Sequence, residues 1–238
     1  MLLSRHRALT LTAISDRLDR SKSGMHSILS TLRDRGFVER MPGGSYRLGT
    51  RAWDLGRASF SFEIGELAKP ELEELEQRTG ESVLLGVLDG FDVVYLRTLP
   101  GKHPVRVNVQ SGERQPANLT STGLALLAQL DDRQIQALLP DDFTVNNDQS
   151  IKSKSELLTE IAQTRARGYG AMTGGWHPDV GGIARCVCDP DGNPAGAICV
   201  SAPLYRVDNA WRAMVKAELD VAVQSIEKAL ASAAGTIK

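Results

Sequence analysis

The chain has 238 residues, 42% of them hydrophobic and 24% charged, which suits one large or two small globular domains and excludes a disordered or fibrous chain. No run approaches the ~18 consecutive apolar residues of a membrane span. The opening MLLSRHRALTLTAIS has neither an apolar h-region nor a small-residue cleavage site, and Cys186, Cys188 and Cys199 do not make a disulfide framework. The expectation is a soluble, cytoplasmic protein. Its net charge of −1 hides an asymmetry: the first sixty residues carry eleven Lys/Arg against five Asp/Glu, the remainder seventeen against twenty-four. A basic first quarter on an acidic body fits a module for a polyanion attached to something that does not bind one. A merely solvated charged surface is the plainer alternative.

Leu11, Ile14 and Leu18 fall at helical spacing, with Thr10 or Thr12 placed to cap the start, and Asp19-Arg20 makes a tight break. Ser21 reads as the cap of a second helix whose Met25, Ile28, Leu29 and Leu32 form an inward stripe ending at Gly36. Phe37–Arg40 and Ser45–Leu48 flank Met41-Pro42-Gly43-Gly44, a hairpin pattern. Two helices and a hairpin describe a winged helix-turn-helix. The second helix would turn Lys22, Ser23, His26, Ser27 and Ser30 outward, short polar groups suited to a major groove. Arg33, Arg40 and Arg47, with Arg35, can reach phosphates.

Residues 50–62 read as a connecting helix. From Ile64 the pattern is mixed: a Leu- and Glu-rich helix closing at Gly80, a hairpin of Ser82–Leu88 and Asp92–Leu99 around Asp89-Gly90, and a third strand at Val105–Val109. Helices follow at Thr122–Gln129, Asp132–Leu139 and Ser155–Arg167, then a second hairpin, Ile183–Asp189 with Ala195–Ser201, and a closing helix at Asn209–Ala233. Antiparallel hairpins flanked by helices argue for an α+β fold.

An enzyme reading would take Cys186 or Cys188 as nucleophile with His177 or His103 as base. A metal reading would join Cys186 and Cys188 to His177, but Cys-x-Cys with one distant His is a poor match to zinc spacings. No G-x-S-x-G, P-loop or G-x-G-x-x-G is present, so no catalytic residue, metal or cofactor is expected.

The motifs L-T-L-T-A-I at 9–14, S-K-S-G-M-H-S-I-L-S-T-L at 21–32, R-G-F-V-E-R at 35–40 and Y-R-L-G at 46–49 resemble the DNA-binding domain of IclR-family bacterial transcriptional regulators. The second part agrees through E-L-A-K-P-E-L-E-E-L at 66–75, T-G-E-S-V-L-L-G-V-L-D-G at 79–90, R-G-Y-G at 167–170 and the block from Gly181 to Pro203. The resemblance implies a winged helix-turn-helix over 1–49, a linker helix over 50–63 and a GAF-like α+β effector-binding domain over 64–238. It implies a homodimer, in many members a tetramer, on pseudo-palindromic double-stranded operator DNA, with Trp53 and Phe60 as candidates for the dimer contact. The alternative is a sensor dimer that has lost specific DNA binding. Two departures motivate it: only Met1–Arg7 precede the turn, where the family has a longer helix, and Gly24 and Ser27 stand where the family commonly has Thr and Arg. Either the start lies upstream or the first helix is short.

The resemblance also places an effector site at the loop after Asn118 and the late hairpin: Asn118, Thr120, Ser121, Thr122, Gly123, Val180, Gly182, Cys199 and Ser201. Free amides and hydroxyls entering a helix suit a carboxylate, and Leu119, Val180 and Ile183 could wall an apolar part. Cys199 and Ser201, two apart on a strand, face one side. Gly182 and Leu124 replace a polar residue and a lysine, which suggests a roomier, more apolar pocket. Gly174–Pro178 would bring an indole and an imidazole to its rim. The ligand expected is a small organic acid or aromatic metabolite.

Overall fold

The structure, a computed structural model, describes residues 8–57 and 60–235. Readings that fell on Met1–Arg7 and on the side chains of Trp53 and Phe60 lie outside the described residues. Backbone contacts divide the chain into two compact units, Met1–Glu63 and Ile64–Lys238.

The first unit starts with β1 (Leu9–Thr10) and α1 (Leu11–Leu18), which Thr10 caps by accepting a hydrogen bond from the Ala13 amide at 3.2 Å. Asp19 stops α1 in the left-handed region, at φ 49°, with its N–H on Ser15 O. Ser21 then caps α2 (Lys22–Asp34) through the Gly24 amide at 3.3 Å. Strands β2 (Val38–Arg40) and β3 (Ser45–Leu48) form the hairpin, and β1, absent from the sequence reading, pairs with β3 so that Leu9 faces Tyr46. Ile14, Met25, Leu29, Val38 and Tyr46 make the small core.

Ile28 is not part of that core; it is 52% exposed. At 100° per residue, Met25, Leu29 and Leu32 fall within one narrow stripe, and Ile28 sits to the side of it. The core of this unit is too thin to cover a wider face. The hairpin's exit packs backbone on backbone: a Cβ on Gly49 would lie 2.3 Å from Gly36 O, which demands glycine there.

The connecting segment is helical over α3 (Thr50–Arg57) and α4 (Phe60–Leu67), on either side of residues 58 and 59, which lie outside the described residues. Helix α5 (Lys69–Thr79) follows, with Pro70 in its first turn and Gly80 closing it at φ 69°.

The second unit is built on a six-stranded antiparallel sheet in the order β6-β5-β4-β9-β8-β7. The strands are β4 (Ser82–Asp89), β5 (Asp92–Leu99), β6 (Arg114–Pro116), β7 (Gly170–Thr173), β8 (Val180–Cys188) and β9 (Pro194–Pro203). Strand alternation gives the sheet two faces. Val83, Leu85, Ile183, Ile198 and Val200 pack with Leu72 of α5 and with Val215, Leu219 and Ile226 of the long α9 (Asn209–Gly235). Leu84, Val93, Tyr95, Ala197 and Cys199 face Leu124 and Leu127 of α6 (Ser121–Leu127), Ile135 of α7 (Asp132–Leu138) and Leu157 and Ile161 of α8 (Lys154–Arg167). The domain is α+β with a curled antiparallel sheet, as the sequence pattern indicated.

Val105–Val109 is not a strand. The alternation V-R-V-N-V imitates one, but the segment finds its hydrogen bonds in side chains. Ser82 Oγ donates to Val107 O at 2.6 Å and Arg206 Nη2 to Val105 O at 3.0 Å. The edge strands β6 and β7 were not anticipated either.

Candidate functional site

In the first unit, Lys22, Ser23, His26 and Ser27 are exposed on α2, as is Arg40 on the hairpin. Ser30 is half-buried and accepts from Arg33 Nη2 at 3.0 Å. Arg33 also pairs with Asp34 at 2.7 Å, and Arg47 places Nε and Nη2 on one oxygen of Glu39 at 2.9 and 2.7 Å. These are exposed pairs, worth little in water and easily exchanged. Gly24 carries the amide that Ser21 caps, and a Cβ there would stand 3.1 Å from Ser21 Oγ. Sequence reasoning missed Ile28, an apolar group on the open surface of the same helix.

The second unit holds a cavity of about 330 Å³ on the α6 side of the sheet. It lies where β4 presents Leu84 and β5, β8 and β9 present small or polar groups, Tyr95, Gly182, Cys199 and Ser201. Its floor is the entry to α6, Leu119, Thr120 and Ser121. Of the residues expected there, Thr120, Ser121, Val180, Gly182, Cys199 and Ser201 line it. Asn118, Thr122 and Gly123 do not. Asn118 spends its amide on Thr144 O and Ile151 O, at 3.0 and 2.9 Å, holding a neighbouring loop. Thr122 is fully enclosed, and Gly123 lies so close to Ala117 that a Cβ would meet its carbonyl oxygen at 2.3 Å. Ile183 faces the opposite side of the sheet, and Leu124 is enclosed in the core and absent from the lining.

The rest of the lining came from segments that no local pattern marks. Irregular residues 106–109 cover one side, Glu113 and Gln115 stand beside Tyr95, and Gly175, Trp176 and His177 form a rim with Met172. The rim was suggested by the sequence; the other side chains reach the cavity through strand pairing distant in the chain. With Arg106 and Glu113 present, the cavity is charged rather than simply apolar.

Burial and hydrogen bonding set the chemistry here. Cys199 Sγ lies 3.2 Å from Ser121 Oγ, and burial pushes its thiol up to about 11, an effect Ser121 partly offsets. Burial also raises the Tyr95 hydroxyl far above its ordinary range, so both groups are neutral at physiological pH. Cys186 and Cys188 sit together at the far end of β8. Cys186 Sγ donates to Gly196 O at 3.3 Å, and the two neighbouring thiols push each other's acidity apart, Cys186 raised and Cys188 lowered. His177 Nδ1 instead accepts from the Asp179 amide at 3.3 Å. Among the described residues no three His, Cys, Asp or Glu side chains gather as a metal site, and no helix is long and apolar enough to cross a membrane.

Comparison with known proteins gives this geometry its context. The family model for the bacterial transcriptional regulator IclR C-terminal domain matches residues 57–228, and that for the IclR helix-turn-helix domain matches residues 1–42. The chain belongs to the IclR family of transcriptional regulators. It is 32% identical over 225 residues to the HTH-type transcriptional regulator XynR of Escherichia coli K12, covering 93% of this chain and 89% of that protein. An IclR-type regulator from Silicibacter sp. TM1040 superimposes with TM-score 0.81 at 27% identity, covering 94% of this chain and 89% of that one. An IclR homologue from Microbacterium hydrocarbonoxydans, solved with 4-hydroxybenzoate, gives TM-score 0.82 at 26% identity over 94% of this chain and 92% of its own. The protein is therefore an IclR-family regulator with a C-terminal effector-binding domain, and its curated relatives are regulators rather than enzymes.

Proposed function

We propose that this IclR-family chain is a ligand-responsive regulator, repressor or activator, in which a small organic acid or aromatic metabolite bound in the second unit alters operator binding by the first. The observation that carries the reading is the cavity itself. It has a volume suited to a small metabolite, apolar walls and a few convergent polar groups, in a chain whose other unit exposes a polar helix face. That a family member was solved with 4-hydroxybenzoate supports the ligand class.

In this reading Lys22, Ser23, His26 and Ser27 meet base edges in the major groove, with Ser30 behind them. Arg33, Arg40 and Arg47 release their surface carboxylates or solvent to take phosphates. Ile28 adds an apolar contact of the kind that reads a thymine methyl. A homodimer, or a pair of dimers, places two such helices about one DNA turn apart. A modest rearrangement on ligand binding then changes affinity by ~1–3 kcal/mol.

Fluorescence anisotropy tests this with the full chain, labelled DNA from upstream of its own gene and a scrambled duplex, at two salt concentrations. Preference for the native duplex, weakening with salt, is expected. Equal, weak binding to both would overturn the DNA-binding assignment. Ligand response is then read as a change in that affinity when organic acids and aromatics are added.

A further inference from the structure

This inference rests on the reading of the cavity as the effector site and concerns how a ligand reaches it. The polar groups at its base are sealed from solvent, since Tyr95, Cys199, Ser121 and Ser201 are each at most 6% exposed. A ligand that touches them must displace part of the wall. The sheet and α6 belong to the core, which leaves two removable pieces, the rim at residues 175–177 and the covering segment at 106–109.

The two pieces are held very differently. The rim's main chain is tied down repeatedly. Gly174 N donates to Val180 O at 2.8 Å, Asn147 Nδ2 to Gly174 O at 2.8 Å, Ser150 Oγ to Gly175 O at 3.0 Å and Asn146 Nδ2 to Trp176 O at 3.0 Å. In the cover, among the described residues, no backbone group of 103–109 bonds to another backbone group. Arg106 bonds to His103 O within the segment; beyond that, its main chain is held by two side chains, Ser82 on Val107 O and Arg206 on Val105 O. The strap runs between two fixed glycines. The Gly101 amide donates to Ser82 Oγ at 3.1 Å, and the amide of Gly112, a residue at φ 84°, donates to Tyr95 O at 2.7 Å. A segment with so few bonds between firm ends belongs to the easily opened part of a fold.

Arg206 is arranged to let go. Its Nε and Nη2 sit on the two oxygens of Glu81, at 2.6 and 2.9 Å, and Glu81 is buried. The second Nη2 hydrogen reaches Val105 O at 3.0 Å. When the strap lifts, that one hydrogen passes to water, while the buried carboxylate keeps both of its bonds. No buried charge is left unpaired, so opening avoids the large cost of parting Glu81 from Arg206. We propose that residues 103–109 form a lid over the cavity, that ligands enter and leave beneath it, and that Arg206, oriented by Glu81, is its latch. Arg106 to Val109 line the cavity from the lid side, so a bound ligand that touches them holds the lid down and slows its own escape.

The test follows Cys199, which lines the cavity and reports access without any ligand. The full chain is treated with iodoacetamide at pH 8, and labelling of each cysteine is timed by peptide mapping. Cys186, buried in the same sheet but outside the cavity lining, reports wider opening. Arg206→Lys keeps a positive charge on Glu81 but gives up the fork that reaches Val105 O, and Ser82→Ala removes the bond to Val107 O. Each should speed Cys199 labelling about tenfold, the scale of one lost hydrogen bond, with the Cys186 rate unchanged. Asn147→Ala loosens the rim instead and should leave the Cys199 rate as it is in the wild type. Where one lid variant does not fold, the other decides. An unchanged Cys199 rate in a folded lid variant overturns the proposal, as does equal acceleration by the rim variant or a Cys186 rate that climbs in step with that of Cys199. The effector-site reading fails separately, if a low-molecular-weight cell extract leaves operator affinity unchanged.

Discussion

The two faces of the six-stranded sheet are made by the same strands and do opposite things. On one, Ile183, Ile198 and Val200 close completely against α5 and α9; on the other, Gly182, Cys199 and Ser201 leave a cavity. Neighbouring residues show how sharp the division is. A Cβ on Gly181 would meet the Val207 side chain at 3.3 Å, whereas one on Gly182 would meet Val200 O at 3.0 Å and then Ser201 Oγ and Cys199 Sγ at 3.3 and 3.4 Å. Register does the rest, since Gly182 pairs with Ser201 and Ile183 with Val200. Alternation thus lets one hairpin supply both rigidity and recognition, and side-chain size alone decides which face has space.

The largest expected difference between the faces is in stability. Ile198→Ala removes a fully enclosed side chain from the closed face and should cost about 2–5 kcal/mol in urea unfolding. Equal loss on truncating a lining residue such as Ser201 would break the comparison. Next is alkaline sensitivity on the cavity side. The Cys199 thiol is raised to about 11 from an ordinary value near 9, so below pH 9 it is protonated in both folded and unfolded chains. As pH rises from about 9 to 11 the unfolded chain loses this proton and the folded chain retains it. Stability should then fall, by on the order of 2 kcal/mol, and Tyr95 adds to the fall at higher pH. Urea midpoints at pH 8 and pH 10.5 check this, and Cys199→Ala should flatten the profile.

A smaller effect separates the lining's own hydrogen bonds. Ser201 Oγ donates to Gly181 O at 3.2 Å, and Ser201→Ala should cost only about 1 kcal/mol in the same unfolding assay. The finest contrast is kinetic. Cys188, half-buried and lowered by the neighbouring Cys186 thiol, should react with a disulfide reagent at pH 8 well before the enclosed Cys199. Peptide mapping of partly labelled protein gives the order, and early labelling of Cys199 would mean that the cavity opens freely.

Much of this architecture is legible locally. Ser21, Asp19, Gly80 and the Asp89-Gly90 turn act where the sequence places them, because caps and tight turns depend on a few adjacent residues. Val105–Val109 misleads because period-two alternation describes a side-chain pattern and not a partner strand; its partners are Ser82 and Arg206. Ile28 misleads because helical spacing does not say how wide the covering core is. The family resemblance located the hairpin and loop parts of the cavity. Arg106, Glu113, Gln115 and Tyr95 escaped, since their meeting depends on pairing of β5 with β6 and on a covering segment with no regular structure.

That covering segment is anchored in an unusual way. Ser82 Oγ accepts from the Gly101 amide at 3.1 Å as it donates to Val107, and Arg206, held by the buried Glu81 at 2.6 and 2.9 Å, grips Val105 O. All the anchors grasp main chain, and none depends on which side chains the segment carries. Its exposed side chains are therefore free to be rewritten, while Val109 packs against the core. Over evolutionary time, or in the hands of an engineer, Arg106 and Asn108, exposed residues of the cavity's cover, can be exchanged without refolding the sheet beneath.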